Sequence, residues 1–260
     1  METIQGNLYD FPKYYDLVYG SDWEAEFDFL EDCFEKHTEL VVERLFEPAC
    51  GTGRLLVKLA EAEYEVGGLD LNAKAIAYCN ARLDKLGYDA MTFVGDMSDF
   101  TLAKPVDAAF NTINSFRHLS TEQQARDHLQ CIANCLRPGG LYVLGLHLTP
   151  TTIEPMQEES WSARRGNLAV CSRLWVEECD LKARQERVGM SFDVYTPTKQ
   201  FRIVDEISFR IYTAPQMQKL LASVPELEIA AVYDFSYDIG RPVEIGPDTE
   251  DVVFVLRKCG

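Results

Sequence analysis

Leu45-Phe46-Glu47-Pro48-Ala49-Cys50-Gly51-Thr52-Gly53-Arg54 is the stretch whose reading decides the fold. The run Val41 to Phe46 reads as a strand, and Leu55, Leu56, Leu59 and Ala60 recur at helical spacing directly after the glycines. The order is strand, tight turn, helix. Glycines at 51 and 53 allow positive φ and bring a bare main chain close to a ligand. The first N–H groups of the following helix lack intrahelical partners, so an anionic group is attracted there.

Two further strand ends sharpen this reading. Tyr64 to Leu69 reads as a second strand closing on Asp70, and Met91 to Gly95 as a third closing on Asp96. Both acids fall at the carboxyl edge of a parallel sheet, where open α/β sheets bind ligands. Asp70 is placed for a ribose diol, and Asp96 followed by Met97 suits the amino group and flat face of an adenine.

From about Asp10 to His147 the chain resembles the class I S-adenosylmethionine-dependent methyltransferases of the small-molecule type. Glu47 leads the glycine turn, Asp70 ends the next strand and Asp96 follows the strand beyond. Ala49 stands where the commoner pattern has a third glycine, which implies a slightly altered loop with the site retained. The resemblance implies S-adenosyl-L-methionine as cofactor. Glu47, Ala49, Cys50, Gly51, Gly53 and Arg54 would surround its methionine part, Asp70 its ribose, Leu71 and Met97 its adenine faces and Asp96 its amino group. Asn111, at the end of the fourth strand, completes that set.

Composition agrees with one enzyme-sized unit. The chain has 260 residues, 47% of them apolar, with 42 acidic against 25 basic residues and a formal net charge of -17. Such a balance repels phosphate backbones and anionic membranes, so neither nucleic acid nor a membrane is expected as a partner. The eight cysteines, at 33, 50, 79, 131, 135, 171, 179 and 259, form no Cys-x-x-Cys and pair with no histidine at zinc-finger spacing. No metal is expected, and the cysteines read as small buried hydrophobes of a reducing compartment. No basic leader precedes an apolar run and no apolar stretch approaches a membrane span, so a cytoplasmic location is expected.

Ahead of the sheet, Leu8 to Tyr19 carries five aromatic rings, and Asp22 opens a helix with Trp23, Phe27, Leu30 and Phe34 on its apolar face. In similar methyltransferases a Tyr-Tyr-Asp segment here folds over the cofactor, and Tyr14 and Tyr15 are the matching residues. These rings equally suit an arm anchored to the core. Ala73 to Leu86 forms a helix stopped by Gly87, Val106 to Phe110 a fourth strand, and Ser120 with Gln123 a capping box for the next helix. Arg137-Pro138-Gly139-Gly140 ends that helix ahead of a fifth strand, Leu141 to Leu146. Beyond Pro150 the period falls to two. Leu168 to Cys179, Val188 to Val194 and Phe201 to Tyr212 read as an antiparallel meander. Ala214 to Val224 returns to helix, and Glu228 to Tyr233 and Val252 to Leu256 supply a closing hairpin.

The expected fold is a doubly wound, mostly parallel Rossmann-like α/β sheet. It forms a single methyltransferase domain over residues 1–260, with an inserted antiparallel β meander over 161–212. The meander should roof the acceptor pocket or pair two copies into a homodimer. The expected reaction is transfer of a methyl group to an oxygen or nitrogen of a small molecule, with His118, Tyr14, Tyr15 and His147 as candidate catalytic residues. A nicotinamide-dependent oxidoreductase is a rival, but its third glycine would fall on Leu56. An amino-methylating DNA enzyme needs Asn-Pro-Pro-Tyr after the fourth strand, where this chain has Asn111-Thr112-Ile113-Asn114. A non-catalytic cofactor-binding scaffold is the remaining alternative.

Overall fold

The computed structural model describes residues 1–153 and 157–260. Its centre is a seven-stranded sheet whose inner strands are apolar on both faces, as a sheet covered by helices on both sides requires. β2 (Arg44–Pro48) is typical, with Leu45 facing one layer of helices and Phe46 the other. The chain runs from β2 outward through β3 (Glu65–Asp70) and β4 (Met91–Val94), then returns to the other side of β2 with β5 (Val106–Asn111) and β6 (Leu136–His147). These five strands are parallel. β11 (Leu227–Tyr233) and β12 (Asp251–Lys258) close the sheet as an antiparallel hairpin beside β6.

This winding puts the reversal of strand order between β2 and β5, and a crevice outside their carboxyl ends follows. Helices α2 (Glu24–His37), α3 (Arg54–Glu61) and α4 (Ala73–Leu86) cover one face. α5 (Glu122–Cys135) and α6 (Ala214–Leu221) cover the other. α4 begins on the Asn72 side chain, which accepts from Lys74 and Ala75 N–H, and ends at Gly87 in the left-handed region, φ 79°.

A second, five-stranded sheet stands apart from the first. Its strands are β7 (Glu158–Arg165), β8 (Leu168–Asp180), β9 (Gln185–Tyr195) and β10 (Gln200–Arg210), which run antiparallel. N-terminal β1 (Glu2–Gln5) adds to β10 in parallel. The alternating face Val188, Met190, Phe192 and Val194 is buried against Leu8, Leu17 and Val18 of the N-terminal arm, where α1 is Pro12–Tyr19. The N-terminal aromatics therefore form the layer between the two sheets.

Several boundaries differ from the sequence reading for physical reasons. The capping box is Thr121 with Gln124, one residue on from Ser120 and Gln123. Adjacent hydroxyl residues offer the same chemistry, and the packing of Ala125 and Leu129 selects the register. Arg137 to Gly140 ends α5 as expected but also belongs to β6, where pairing with β5 shifts register and Gly139 takes φ 81°. Among the described residues no helix is long and apolar enough to cross a membrane.

Candidate functional site

The loop after β2 turns through three left-handed residues, Ala49 (φ 56°), Gly51 (φ 53°) and Gly53 (φ 70°). Alanine in that region costs about 1 kcal/mol, so the loop keeps the conformation of a glycine at 49 and bears that strain. A Cβ at Gly51 would meet nothing within 4 Å, whereas one at Gly53 would fall 2.3 Å from the Cys79 sulfur. Gly53→Ala should therefore lower stability by about 2 kcal/mol, through overpacking added to strain. Gly51→Ala should cost less, and paired denaturant titrations of the two variants check the order.

The loop is tied to β3. Cys50 N–H donates to the Leu69 carbonyl, and Asp70 accepts from Gly51 N–H at 2.9 Å and from Asn72 N–H at 2.7 Å. Burial raises the Asp70 pKa, and these two amide bonds oppose the shift. At the end of β2, Glu47 Oε2 is buried with no hydrogen-bond partner, and burial raises that carboxyl well above its usual range, with the Arg54 cation acting the other way. On the adjoining strand, Asn111 Nδ2 donates to the Pro48 carbonyl at 2.8 Å, while its Oδ1 is likewise buried and partnerless. Two orphaned acceptors thus stand at the ends of adjacent strands, at the strand-order reversal. A buried acceptor left unpaired is costly, which suits a donor-rich cationic ligand.

Arg54 donates to Glu26, which is 4% exposed, and to the Asp22 carbonyl. It binds the start of α3 to α2, and its charge also acts on Glu47. Leu71 is exposed just beyond β3. Asp96 accepts from the Ser98 N–H and hydroxyl, both at 2.8 Å. The Met97 side chain is buried, and its carbonyl accepts from His128 Nδ1–H at 2.8 Å.

His128 was not singled out from the sequence. A carbonyl can only accept, so Nδ1 carries the proton and Nε2 accepts from the Tyr142 hydroxyl at 2.7 Å. Burial lowers its pKa to about 4, against the opposing effects of the Met97 carbonyl and Asp96. The unfolded chain then binds a proton that the native state refuses, so stability is full above pH 6.5 and falls as pH drops toward 4. The His128 share of the slope should approach about 1.4 kcal/mol per pH unit, and His128→Gln should remove that share, leaving the share of His118, in melts recorded across that window.

The N-terminal arm closes over this loop through named ties. Asn72 and Lys74 donate to Asp10. The buried Asp16 accepts from Arg82 at 2.7 Å and from the Tyr78 hydroxyl, and Arg82 also donates to the Thr52 carbonyl of the glycine loop. The two arm tyrosines diverge. Tyr15 lies within the fields of Arg54, Asp70 and Glu47, and burial raises its pKa to about 12. Tyr14 stacks on Phe11 and meets Phe201 edge-on.

His118 lies on the 3-10 turn Ser115–His118 after β5, with Nε2 3.0 Å from the Tyr9 hydroxyl. Tyr9 continues an aromatic row through Tyr15 at 5.4 Å to Tyr19 at 4.7 Å from Tyr15. One side of His118 is open to solvent and the other is crowded by Tyr9 and Phe209. That crowding, and then the Arg117 guanidinium, lower its pKa to about 4. His147 ends β6 with Nδ1 2.7 Å from Asp251 and its ring against Phe235. Among the described residues no group of histidine, cysteine and acidic side chains could hold a metal.

A family model described as a methyltransferase domain matches residues 46–140, the span from the glycine turn to the start of β6. A dTDP-3-amino-3,4,6-trideoxy-alpha-D-glucopyranose N,N-dimethyltransferase of Streptomyces venezuelae is 26% identical over 201 residues, 76% of this chain and 81% of that protein. An S-adenosylmethionine-dependent methyltransferase from Clostridium acetobutylicum superposes with a TM-score of 0.78 at 19% identity, covering 98% of this chain and all of the other. A SAM-bound amino pentose methyltransferase from Micromonospora echinaspora gives 0.71 at 20% identity over 99% of each chain. Residues 46–140 of this chain thus match a methyltransferase domain, and its fold is that of S-adenosylmethionine-dependent methyltransferases.

Its residues fit S-adenosylmethionine as cofactor. Glu47 Oε2 and Asn111 Oδ1 are buried acceptors lacking donors at the ends of adjacent strands, and a Cβ at Gly51, in the loop that follows Glu47, would meet nothing within 4 Å.

Proposed function

We propose that the protein methylates the amino group of a small molecule, with a nucleotide-linked amino sugar as the acceptor class. The observation that carries this reading is the pair of partnerless buried acceptors, Glu47 Oε2 and Asn111 Oδ1, at the strand-order reversal. The aromatic row Tyr15, Tyr9 and His118 lies beside it. The acceptor class is supported by the activity named for the Streptomyces relative, a sugar N,N-dimethyltransferase.

Bound S-adenosylmethionine supplies an electrophilic methyl group with a neutral thioether as leaving group. Glu47 and Asn111 would accept hydrogen bonds from its amino acid end and Asp70 from its ribose hydroxyls, Asp96 would hold the adenine amino group, and Leu71 and Met97 would flank the ring. The bare main chain at Gly51 would line the approach, while the Cys50 side chain is buried in the core with Cys79. Tyr15 would cover the reacting end and keep its proton, because burial raises its pKa to about 12. An ammonium has no lone pair, so the acceptor must lose a proton before or during attack. His118 takes that proton at Nδ1 while Nε2–H donates to the Tyr9 oxygen. The depressed pKa leaves the imidazole lone pair free across the neutral range but weakens it as a base, so proton transfer would accompany the attack, when the methylated nitrogen becomes more acidic. Holding nucleophile and methyl in line is the larger part of the acceleration. Tyr14 braces the arm through Phe11 and Phe201, and His147, with Asp251, is the alternative proton acceptor on the same edge.

S-adenosylmethionine or its demethylated product should raise the melting temperature, since a ligand that binds only the native state stabilises it by mass action. At a hundredfold excess over Kd the gain is about 2.7 kcal/mol. Nicotinamide dinucleotides should leave the melt unchanged, and the reverse pattern would refute the assignment of the site.

A further inference from the structure

His118 sits on a four-residue 3-10 turn, which has little rigidity of its own. What anchors the turn is the preceding residue. The Arg117 side chain is 7% exposed, and it donates from Nη2 to Glu186 Oε2 at 2.6 Å and from Nε to the Arg210 carbonyl at 3.2 Å. Glu186 lies near the start of β9, directly opposite Phe209 on β10. The guanidinium stacks over the Phe209 ring, 4.9 Å to its centroid, and the same ring meets the His118 imidazole edge-on at 4.9 Å. One face of this clamp is therefore the second sheet and the other is the candidate base.

A buried ion pair is seldom worth more in stability than apolar residues of the same size, so stability alone does not account for this one. Nor is it needed to join the layers, because Arg184 and Arg210 already tie the second sheet to Glu122 at the start of α5. We propose that the Arg117–Glu186 pair is a positioning device, through which the second sheet holds the His118 imidazole toward the acceptor. This rests on the reading of His118 as the base, and it gives the added sheet a part in catalysis.

The test is the double variant Arg117→Gln/Glu186→Gln, which leaves no unpaired buried charge, made in the parent and in His118→Ala. Turnover is measured with S-adenosylmethionine and, as the acceptor probe, dTDP-3-amino-3,4,6-trideoxy-α-D-glucopyranose. Histidine side-chain NMR is recorded on the protein loaded with the demethylated cofactor. In the parent background kcat should fall about tenfold or more, since a displacement of about 1 Å can cost a hundredfold, with the KM for the cofactor within about twofold. In the His118→Ala background the same change should cost less than about twofold, because there is no imidazole left to place. The groups facing His118 are the Arg117 cation and the Tyr9 hydroxyl. Only the first is altered, so the His118 titration should move upward toward pH 6.5.

Equal losses in both backgrounds, or unchanged His118 resonances and titration, would overturn the proposal. If the double variant does not fold, Glu186→Asp keeps the charge and shortens the reach, and the same dependence on background is expected. If His118→Ala keeps parental turnover, the reading of the base fails separately. The NMR arm then decides the positioning claim alone, with moved signals sustaining it and unmoved signals ending it.

Discussion

Replacing His118 by alanine is expected to lower turnover on an amine acceptor by about a hundredfold or more, the scale on which a positioned general base contributes. Cofactor affinity should be unchanged, because the residues around the glycine loop do not depend on the imidazole. The pH profile supplies a second signature. His118 is crowded by Tyr9 and Phe209 and faces the Arg117 cation, so its protonation lies below the usual 6.5 and the parent should stay active well into the acid range. Activity then falls as the ring takes up its proton, whereas the variant should follow the deprotonation of the acceptor amine itself and lose activity from a higher pH. Steady-state rates from pH 4 to 9 with saturating cofactor provide the check. A variant within a few fold of the parent would assign His118 a structural role and shift attention to His147, whose Nδ1 lies 2.7 Å from Asp251.

Asp70→Ala should weaken S-adenosylmethionine binding by roughly tenfold to 150-fold, the equivalent of about 1.5 to 3 kcal/mol for a hydrogen bond to a charged acceptor. The carboxylate has two duties. It receives the Gly51 and Asn72 amides, which shape the loop and the start of α4, and it is the proposed acceptor for a ribose diol. Asp70→Asn keeps one acceptor oxygen and should fall between the parent and the alanine variant. Titration calorimetry of the three proteins reads the order directly. Since Asn72 also reaches Asp10 of the arm, looser closure of the N-terminal segment should accompany the loss, visible as faster amide exchange over α1.

The placement of the candidate residues was legible in the sequence because they stand at strand ends. Glu47, Asp70 and Asn111 close apolar runs whose direction follows from the alternation of strand and helix, so a parallel sheet brings them to one edge. The left-handed Ala49 shows the limit of a motif read by residue type, since the backbone there keeps a glycine conformation without glycine. What the sequence could not reveal depends on contacts across long separations. Tyr9 and His118 are 109 residues apart and meet only because the arm is folded between two sheets. The Arg117 partner Glu186 lies in a strand whose alternation predicts burial but names no opposite charge. β1 and β7 escaped notice for another reason. Glu2–Gln5 is too short to show a period, and Glu158–Arg165 is largely exposed, so neither carries an apolar stripe. His128 looked like any polar residue on a helix, and only the buried Met97 carbonyl beside it discloses its work.

The most direct test of the account is to incubate the protein with S-adenosylmethionine bearing an isotopically heavy methyl group and dTDP-3-amino-3,4,6-trideoxy-α-D-glucopyranose, and to follow both products by mass spectrometry. Transfer of the heavy methyl to the sugar nitrogen, with one demethylated cofactor released per methyl, is the predicted result. Tight cofactor binding with no transfer to this sugar or to any other amine in a broad metabolite panel would contradict it.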